Sequence, residues 1–514
     1  MHIFSILCFC FIIGTVNSYR ILVLIPFPGN SHFMMFKVFI KELIQRGHEI
    51  ILISPFSFDE KLVNYTEIVI DPPWSPGSQF TQEQIFDLKF MNQIDMLGVY
   101  WWLGIESTQY CLENPLVRNF TLYDDSHFDL ILAEQFFQEA LLMFSHKYKA
   151  PIVSLSTYGY SDFFDRIMGS ITPYSLVPHM ILSDYDDNMT FIQRLHNFIF
   201  SMADVLIREF YYLPAMNKMA HKYFSHLSNL PSIQDMEKSI SAILVNNHVA
   251  MFKPRPLMHG IIDIAGAHIK PLKPLPKNLK KFLDEAENGV IYMSLGSYVQ
   301  SSNMPKEKLK LLINVFGSVK QKVLWKYEKD DLENLPSNLM ILKWTPQAEI
   351  LNHPNVLLFI SHGGLFGTIE SLHFGVPTLF MPFFGDQYRN AKMAEKLGYG
   401  HYILFSSMTE YSLKSKIDKM IGNKKYLEKS KELSFIVRDN QVNPLNTSMY
   451  WIEYVIKHNG AKHLKSHAIE LSWYQYLMLD VVCFIALSSW VIFKVIELIY
   501  QFLFRRIYHK IKVE

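Results

Sequence analysis

The stretch from Val356 to Gln387 limits the fold of this 514-residue chain more than any other. An apolar burst, Val356-Leu357-Leu358-Phe359-Ile360, reads as a buried parallel strand. It breaks at Ser361-His362-Gly363-Gly364 and resumes as a helix-compatible stretch through Glu370. A second burst, Pro377-Thr378-Leu379-Phe380-Met381, reads as the next strand. Strand, glycine turn, helix and strand together put free backbone N–H groups at a helix start, where a phosphate is held. His362 in the turn adds charge or a hydrogen bond, and Glu370 is expected two helical turns along the same face. Gly385-Asp386-Gln387 follows the second strand, at the end where open α/β sheets bind ligands. Packing alone accounts for the apolar strands and the glycines. It does not account for a His, a Glu, an Asp and a Gln gathered at the ligand end.

The chain is too long for one ordinary core, so two domains of roughly 200 residues or more are expected. Residues 19–26 read as a first buried strand, followed by the loop Phe27-Pro28-Gly29-Asn30. Ser31 is the expected N-cap of a helix to about Arg46, which gives way to a strand over residues 49–54. That is the opening of a doubly wound sheet. Residues 74–227 are aromatic-rich with helical spacing (Trp101, Trp102, Phe136, Phe137, Tyr211, Tyr212), a pattern of core packing that also suits an apolar pocket. The proline-punctuated stretch 254–276 is the expected linker. A second α/β series then begins with a strand at 289–294, a helix from Pro305, and strands near Val323 and Met340.

The run Phe359–Gln387 resembles the signature of the UDP-dependent glycosyltransferases of the animal membrane-bound type. The matching residues are the His-Gly-Gly turn, Glu370, Gly375-Val376-Pro377, Pro382 and Gly385-Asp386-Gln387. The resemblance extends from about Tyr19 to the tail. It implies two Rossmann-like doubly wound domains facing across a cleft (the GT-B architecture), with acceptor bound by residues 19–270 and UDP-sugar by 276–445. A crossover helix region at 446–470 would follow.

Position by position, the resemblance implies that Trp344 stacks on uracil and Gln347 bonds the nucleoside, within Trp344-Thr345-Pro346-Gln347. A flat aromatic face suits a pyrimidine. Ser294, Ser297, His362, Gly363, Gly364 and Thr368 would lie on the donor side, around the diphosphate. Glu370 would accept from both ribose hydroxyls, as a carboxylate can, and Asp386 and Gln387 would hold the sugar. His32 would be the catalytic base, since an imidazole can take the proton of an attacking hydroxyl near neutral pH. Glu134 stands where the family has an orienting Asp, and Phe366 where many members have Asn. Arg255, in Pro254-Arg255-Pro256, resembles an element of animal members, and a linker ion pair explains it equally well. An inverting transfer of a hexose, glucose favoured over glucuronate, to a small lipophilic hydroxyl is the expected reaction, as in detoxification conjugation. A non-catalytic UDP-sugar binder is the alternative. The first strand lacks G-x-G-x-x-G, which argues against a nicotinamide enzyme. No acidic cluster is read as a metal-binding one, so no metal and no cofactor are expected, the UDP-sugar being a co-substrate.

Membrane signals stand at both ends. Residues 1–18 read as a signal peptide, with an apolar stretch from Ile3 to Ile13. Residues 476–500 read as a transmembrane helix broken by Asp480 and Lys494, the latter placed to snorkel. Residues 501–514 form a basic tail, cytoplasmic by the positive-inside rule, whose Lys510 and Lys512 resemble a retrieval signal. A single-pass type I protein of the endoplasmic reticulum, with lumenal catalytic domains, is the expectation. Sequons at Asn64, Asn119, Asn188 and Asn446 fall between the two apolar ends. Net charge is +1, which gives no reason to expect nucleic acid as a partner. A homo-oligomer is neither required nor excluded. Cys8 and Cys10 leave with the signal and Cys483 lies in the span, so Cys111 is left without a disulfide partner.

Overall fold

A computed structural model describes residues 18–58, 60–71, 86, 92–182, 185–252 and 254–511. Residues 1–17 of the expected signal peptide and Lys512 lie outside them. The first half is a seven-stranded sheet in the order β3-β2-β1-β4-β5-β6-β7, all parallel. Its strands are β1 (Arg20–Leu24), β2 (Glu49–Ser54), β3 (Tyr65–Val69), β4 (Leu130–Glu134), β5 (Ile152–Ser156), β6 (Ile240–Val245) and β7 (Ile261–Asp263). The second half is a six-stranded parallel sheet in the order β10-β9-β8-β11-β12-β13. It comprises β8 (Val290–Ser294), β9 (Lys322–Lys326), β10 (Leu339–Leu342), β11 (Val356–Ser361), β12 (Thr378–Phe380) and β13 (Gly400–Tyr402). The central strands are apolar throughout because helices cover both faces, which explains why they read as bursts rather than alternations.

Each sheet reverses its winding once, between β1 and β4 in the first half and between β8 and β11 in the second. The crevice at the carboxyl ends of strands beside such a reversal is where doubly wound sheets bind ligands. His32 follows β1 and Glu134 ends β4; Ser294 ends β8 and His362 follows β11. All four stand at the two switch points.

Several local expectations are corrected. Helix α1 (Asn30–Gln45) is capped at Gly29, with no side-chain cap, so Ser31 lies inside it and His32 in its first turn. The expected linker at 254–276 contains β7, which pairs with β6. Only three residues long between prolines, β7 gives too short an apolar run to be recognised. Of the six aromatics, Trp101, Phe136, Phe137 and Tyr212 are buried, whereas Trp102 and Tyr211 are exposed.

The remaining helices that matter below are α2 (Phe191–Ile207), α3 (Leu365–Phe374), α4 (Gln387–Leu397), α5 (Pro444–Lys457) and α6 (Leu479–Ile511). After the second sheet the chain returns to the first half. Met449, Ile452, Val455 and Ile456 of α5 join the core formed by β1, β2 and α1, and Arg46 pairs with Glu453 at 3.3 Å. Lys396 of α4 bonds Asp186 and Asp187 at 2.7 and 3.0 Å. Phe86 inserts edge-on against Phe383 of the second half. Helix α6 is long and apolar enough to cross a membrane over Leu479–Tyr508, and its apolar window holds no buried residue. Lys494 is not alone within it, since it pairs with Glu497 at 2.7 Å.

Candidate active site

On the first half's side of the cleft, the Nδ1 of His32 lies 2.5 Å from the Oε1 of Glu134. β1 and β4 are adjacent strands whose register pairs Leu24 with Ala133, which brings a residue after one strand against the last residue of the other. Thr157, just beyond β5, places its hydroxyl 3.0 Å from the same nitrogen and 3.4 Å from the same oxygen. The rings of Phe27 and Phe136 flank the imidazole at 4.9 and 5.0 Å between centroids. Glu134 is buried. Engaging Nδ1 this way fixes the ring's orientation and leaves Nε2 as the nitrogen free to accept a proton.

On the facing side, His362 is wedged between two glycines. A Cβ on Gly296 would fall 2.6 Å from its Cε1, and one on Gly364 would fall 2.5 Å from its Nε2. Gly363 between them adopts a φ of +88°, which side chains disfavour. The tight turn therefore requires glycine on steric grounds. Burial pushes the His362 imidazole down to about 4, and the Lys326 ammonium adds to this. With Nδ1 unpartnered, the ring is a neutral hydrogen-bonding group rather than a cation. Because the turn precedes α3, His362 and Glu370 share no helical face, contrary to expectation. Helix α3 has no side-chain cap at Gly364, so its first amides are open to an anion.

Glu370 accepts from the Nε2 of Gln347 at 2.5 Å, and the Oε1 of that amide accepts from the Tyr292 hydroxyl at 3.1 Å. Burial raises its carboxyl to about 7 despite the Gln347 hydrogen bond. Trp344 is 72% exposed beside this chain, so it is not a core residue. Asp386 caps α4; burial raises it to about 6 against the pull of Asn390 and, more weakly, of Arg389 and His32. His32 acts on Asp386, so the two lie within electrostatic reach across the cleft.

Thr368 is fully buried and its hydroxyl donates to Gly364 O at 3.0 Å. Gln387 is buried, and its Oε1 accepts from the amides of Phe383 and Phe384 at 2.8 and 3.2 Å. Ser294 is buried at the strand end while Ser297 is exposed. Arg255 stacks its guanidinium 3.9 Å over the Tyr160 ring. Phe366 packs edge-on against His268 at 4.8 Å and against the core of the first half. An aromatic bridge between the halves therefore stands where many relatives have Asn.

The family model described as "UDP-glucoronosyl and UDP-glucosyl transferase" matches residues 20–513. The chain belongs to the UDP-glycosyltransferases. It is 34% identical over 495 residues to the UDP-glycosyltransferase UGT5 of Dactylopius coccus, covering 94% of this chain and 92% of that one. UDP-glucuronosyltransferase 2B7 of Homo sapiens is 30% identical over 499 residues, covering 93% and 92%. Among solved structures, the calicheamicin glycosyltransferase CalG4 superposes with a TM-score of 0.58 at 14% identity, covering 86% of this chain and 99% of that one. At that identity the likeness is one of fold, GT-B.

In this UDP-glycosyltransferase the fold also brings to the cleft residues that the sequence did not single out. Thr157 completes the His32–Glu134 cluster. Asn390 ties Asp386 to the glycine turn, through Asp386 Oδ2 and Gly363 O, both at 2.9 Å. Tyr292 and His268 flank the Gln347–Glu370 pair, His268 with its Nε2 3.7 Å from Glu370. The Asp386–Asn390 spacing of four was a legible helix-face signal; Thr157 and His268 gave none, being ordinary residues after a strand. Among the described residues no group of three metal-ligating side chains is present.

Proposed function

We propose that this chain transfers glucose, with inversion, from UDP-glucose to the hydroxyl of a small lipophilic acceptor, a conjugation of the detoxification kind. The observation that carries the mechanism is the 2.5 Å contact of His32 with Glu134, opposite Asp386. His32 takes the acceptor's proton as its oxygen attacks the anomeric carbon, and Glu134 stabilises the imidazolium that forms. UDP leaves toward the amides of α3 and the His362 ring, where its growing charge is met by preorganised donors. Glu370 receives the ribose hydroxyls, Trp344 the uracil, and Asp386 the sugar hydroxyls. Inversion makes a β-glycoside from an α-linked donor. None of these steps calls on a metal.

The glucose assignment draws support from UDP-glucosyltransferase 2 of Dactylopius coccus, 34% identical. The lipophilic acceptor draws it from the aromatic cluster of Phe27, Phe136, Phe137 and Tyr158 beside His32. We read α6 as a single span with both sheets lumenal in the endoplasmic reticulum. Asn64, Asn119, Asn188 and Asn446 are all exposed, as glycan acceptors must be. We place the domain limits at 19–270 and 276–445, with 446–470 crossing back, 476–500 in the membrane and 501–514 as the tail. UDP release would be measured from membranes expressing the chain, with UDP-glucose or UDP-glucuronate offered against phenols and aliphatic alcohols. Acceptor-dependent release with UDP-glucose that vanishes in His32→Ala is expected. Release only with UDP-glucuronate overturns the sugar, and release that survives in the variant overturns the base.

A further inference from the structure

Helix α2 is built inside out. A surface helix of a water-soluble domain turns its apolar stripe to the core and its polar face to solvent. Here Asn197, Ser201, Asp204 and Arg208, spaced by four, three and four, are buried, with Phe200 the apolar neighbour among them. Phe191, Leu195, Phe198, Ile199 and Leu206, with Phe210 in the turn beyond, are instead between 45% and 77% exposed. Asn197, Asp204 and Arg208 of the buried polar face are each paired. Asn197 donates to the carbonyls of Tyr174 and Val177 at 2.7 and 2.9 Å and accepts from the His179 amide at 2.7 Å. Asp204 meets the His179 ring at 3.1 Å, and Arg208 bonds Glu139 at 3.1 Å and Glu237 at 3.2 Å. These partners leave the helix no freedom to rotate its apolar side inward, so the exposure is a fixed property of the fold.

The position of that face identifies what covers it. The loop that α2 holds through Tyr174 and Val177 begins at Gly169, where a Cβ would meet Ile469 at 2.6 Å, and Ser466 N donates to Met168 O. Residues 466–469 belong to the segment that leads into α6, which exposes Trp473 and Tyr474 just ahead of the span. Ile171 and Leu176 of the same loop are exposed, and Tyr174 contacts Phe198 ring to ring. Exposed apolar side chains thus stand along the path from the foot of the membrane helix to the outer side of α2. An exposed apolar patch of this kind marks a docking surface. Trp and Tyr at its edge are the residues that settle at a bilayer interface, and a helix with one apolar face lies in the plane of that interface.

We propose that the outer face of α2 and the turn after it rests in the leaflet that α6 enters, giving the first half a second attachment to lipid. This depends on the reading of α6 as a span, so the test reports on the two separately. The full chain is placed in phosphatidylcholine nanodiscs whose acyl chains carry a nitroxide, and one cysteine is labelled with an environment-sensitive fluorophore. Cys111 is buried, so the unaltered chain labels at Cys483 and reports on α6. In a Cys483→Ala background, Phe198→Cys or Ile199→Cys reports on α2, and Tyr411→Cys on the second half. Retention on immobilised UDP verifies that each variant is folded. Expected are loss of most emission to the lipid nitroxide at 483, 198 and 199, and quenching by aqueous iodide only at 411. Iodide quenching at 198 and 199, with lipid quenching at 483, overturns the docking and leaves the anchor intact. Protection from both quenchers at 198 and 199 assigns the face to a protein partner and equally overturns it. Absence of lipid quenching at 483 instead overturns the span.

Discussion

Replacing Glu134 by Gln tests the chemistry of the cleft with the least disturbance to its shape. The two side chains are isosteric, and the site is buried at the end of β4, so the variant keeps the packing while losing one negative charge. In the native protein the carboxylate accepts from His32 Nδ1 at 2.5 Å and from Thr157. A hydrogen bond involving a charged group contributes about 1.5–3 kcal/mol. If that stabilisation is realised as the imidazolium forms, its loss lowers kcat about 10- to 150-fold, at about 1.4 kcal/mol per decade. The amide adds a second penalty. Turned with its NH2 toward Nδ1, it holds the proton on Nε2, the nitrogen that must be empty to act as base. The assay is steady-state UDP release with UDP-glucose and a phenol, in Glu134→Gln, His32→Ala and the double variant. KM for the donor should be unchanged, because Glu134 belongs to the acceptor half. The double variant should be no worse than His32→Ala, since the two residues act as a unit. A kcat for Glu134→Gln within about twofold of the parent refutes the role of the carboxylate, on the same scale of about 1.4 kcal/mol per decade. An equal further drop in the His32→Ala background would show that the loss arises elsewhere.

Gly296→Ala should weaken UDP binding at least about tenfold by titration calorimetry and cost about 1–2 kcal/mol of stability, because φ is +82° and the new methyl meets His362. Glu370→Gln should uncouple stability from pH. The native carboxyl holds its proton to about 7 while the unfolded one releases it near 4.5, so the folded state carries the extra proton between those values. Stability therefore falls as pH rises through that window, by on the order of 3 kcal/mol, and is level above it. Without donor, the variant should melt with the parent at pH 4 and above it at pH 8, while losing UDP affinity; equal melting at both pH values refutes the cause. Phe366→Asn should lower stability by about 1–2 kcal/mol in denaturant unfolding, through loss of an apolar contact between the halves. An unchanged midpoint would remove that account of the residue.

Sequence alone determined the elements and their kind. Unbroken apolar bursts such as 356–360 specify strands buried on both faces, and the glycines of 363 and 364 specify a turn no other residue tolerates beside His362. These are local signals, carried within a few residues. Tertiary structure decided what no local pattern encodes. The strand β7 exists only because β6 offers it an edge. Glu134 reaches His32 because β1 and β4, 110 residues apart in the chain, lie side by side, and Thr157 joins them from the next strand. Gln387 and Thr368 match the signature, yet their polar atoms bond the backbone around them. The exposed apolar face of α2 was hidden for the same reason. Its residues read as core by composition, and only the ion pairs of Arg208 and the hydrogen bonds of Asn197 fix which side turns outward. Periodicity tells that a helix has two faces; the partners across space choose which one is buried.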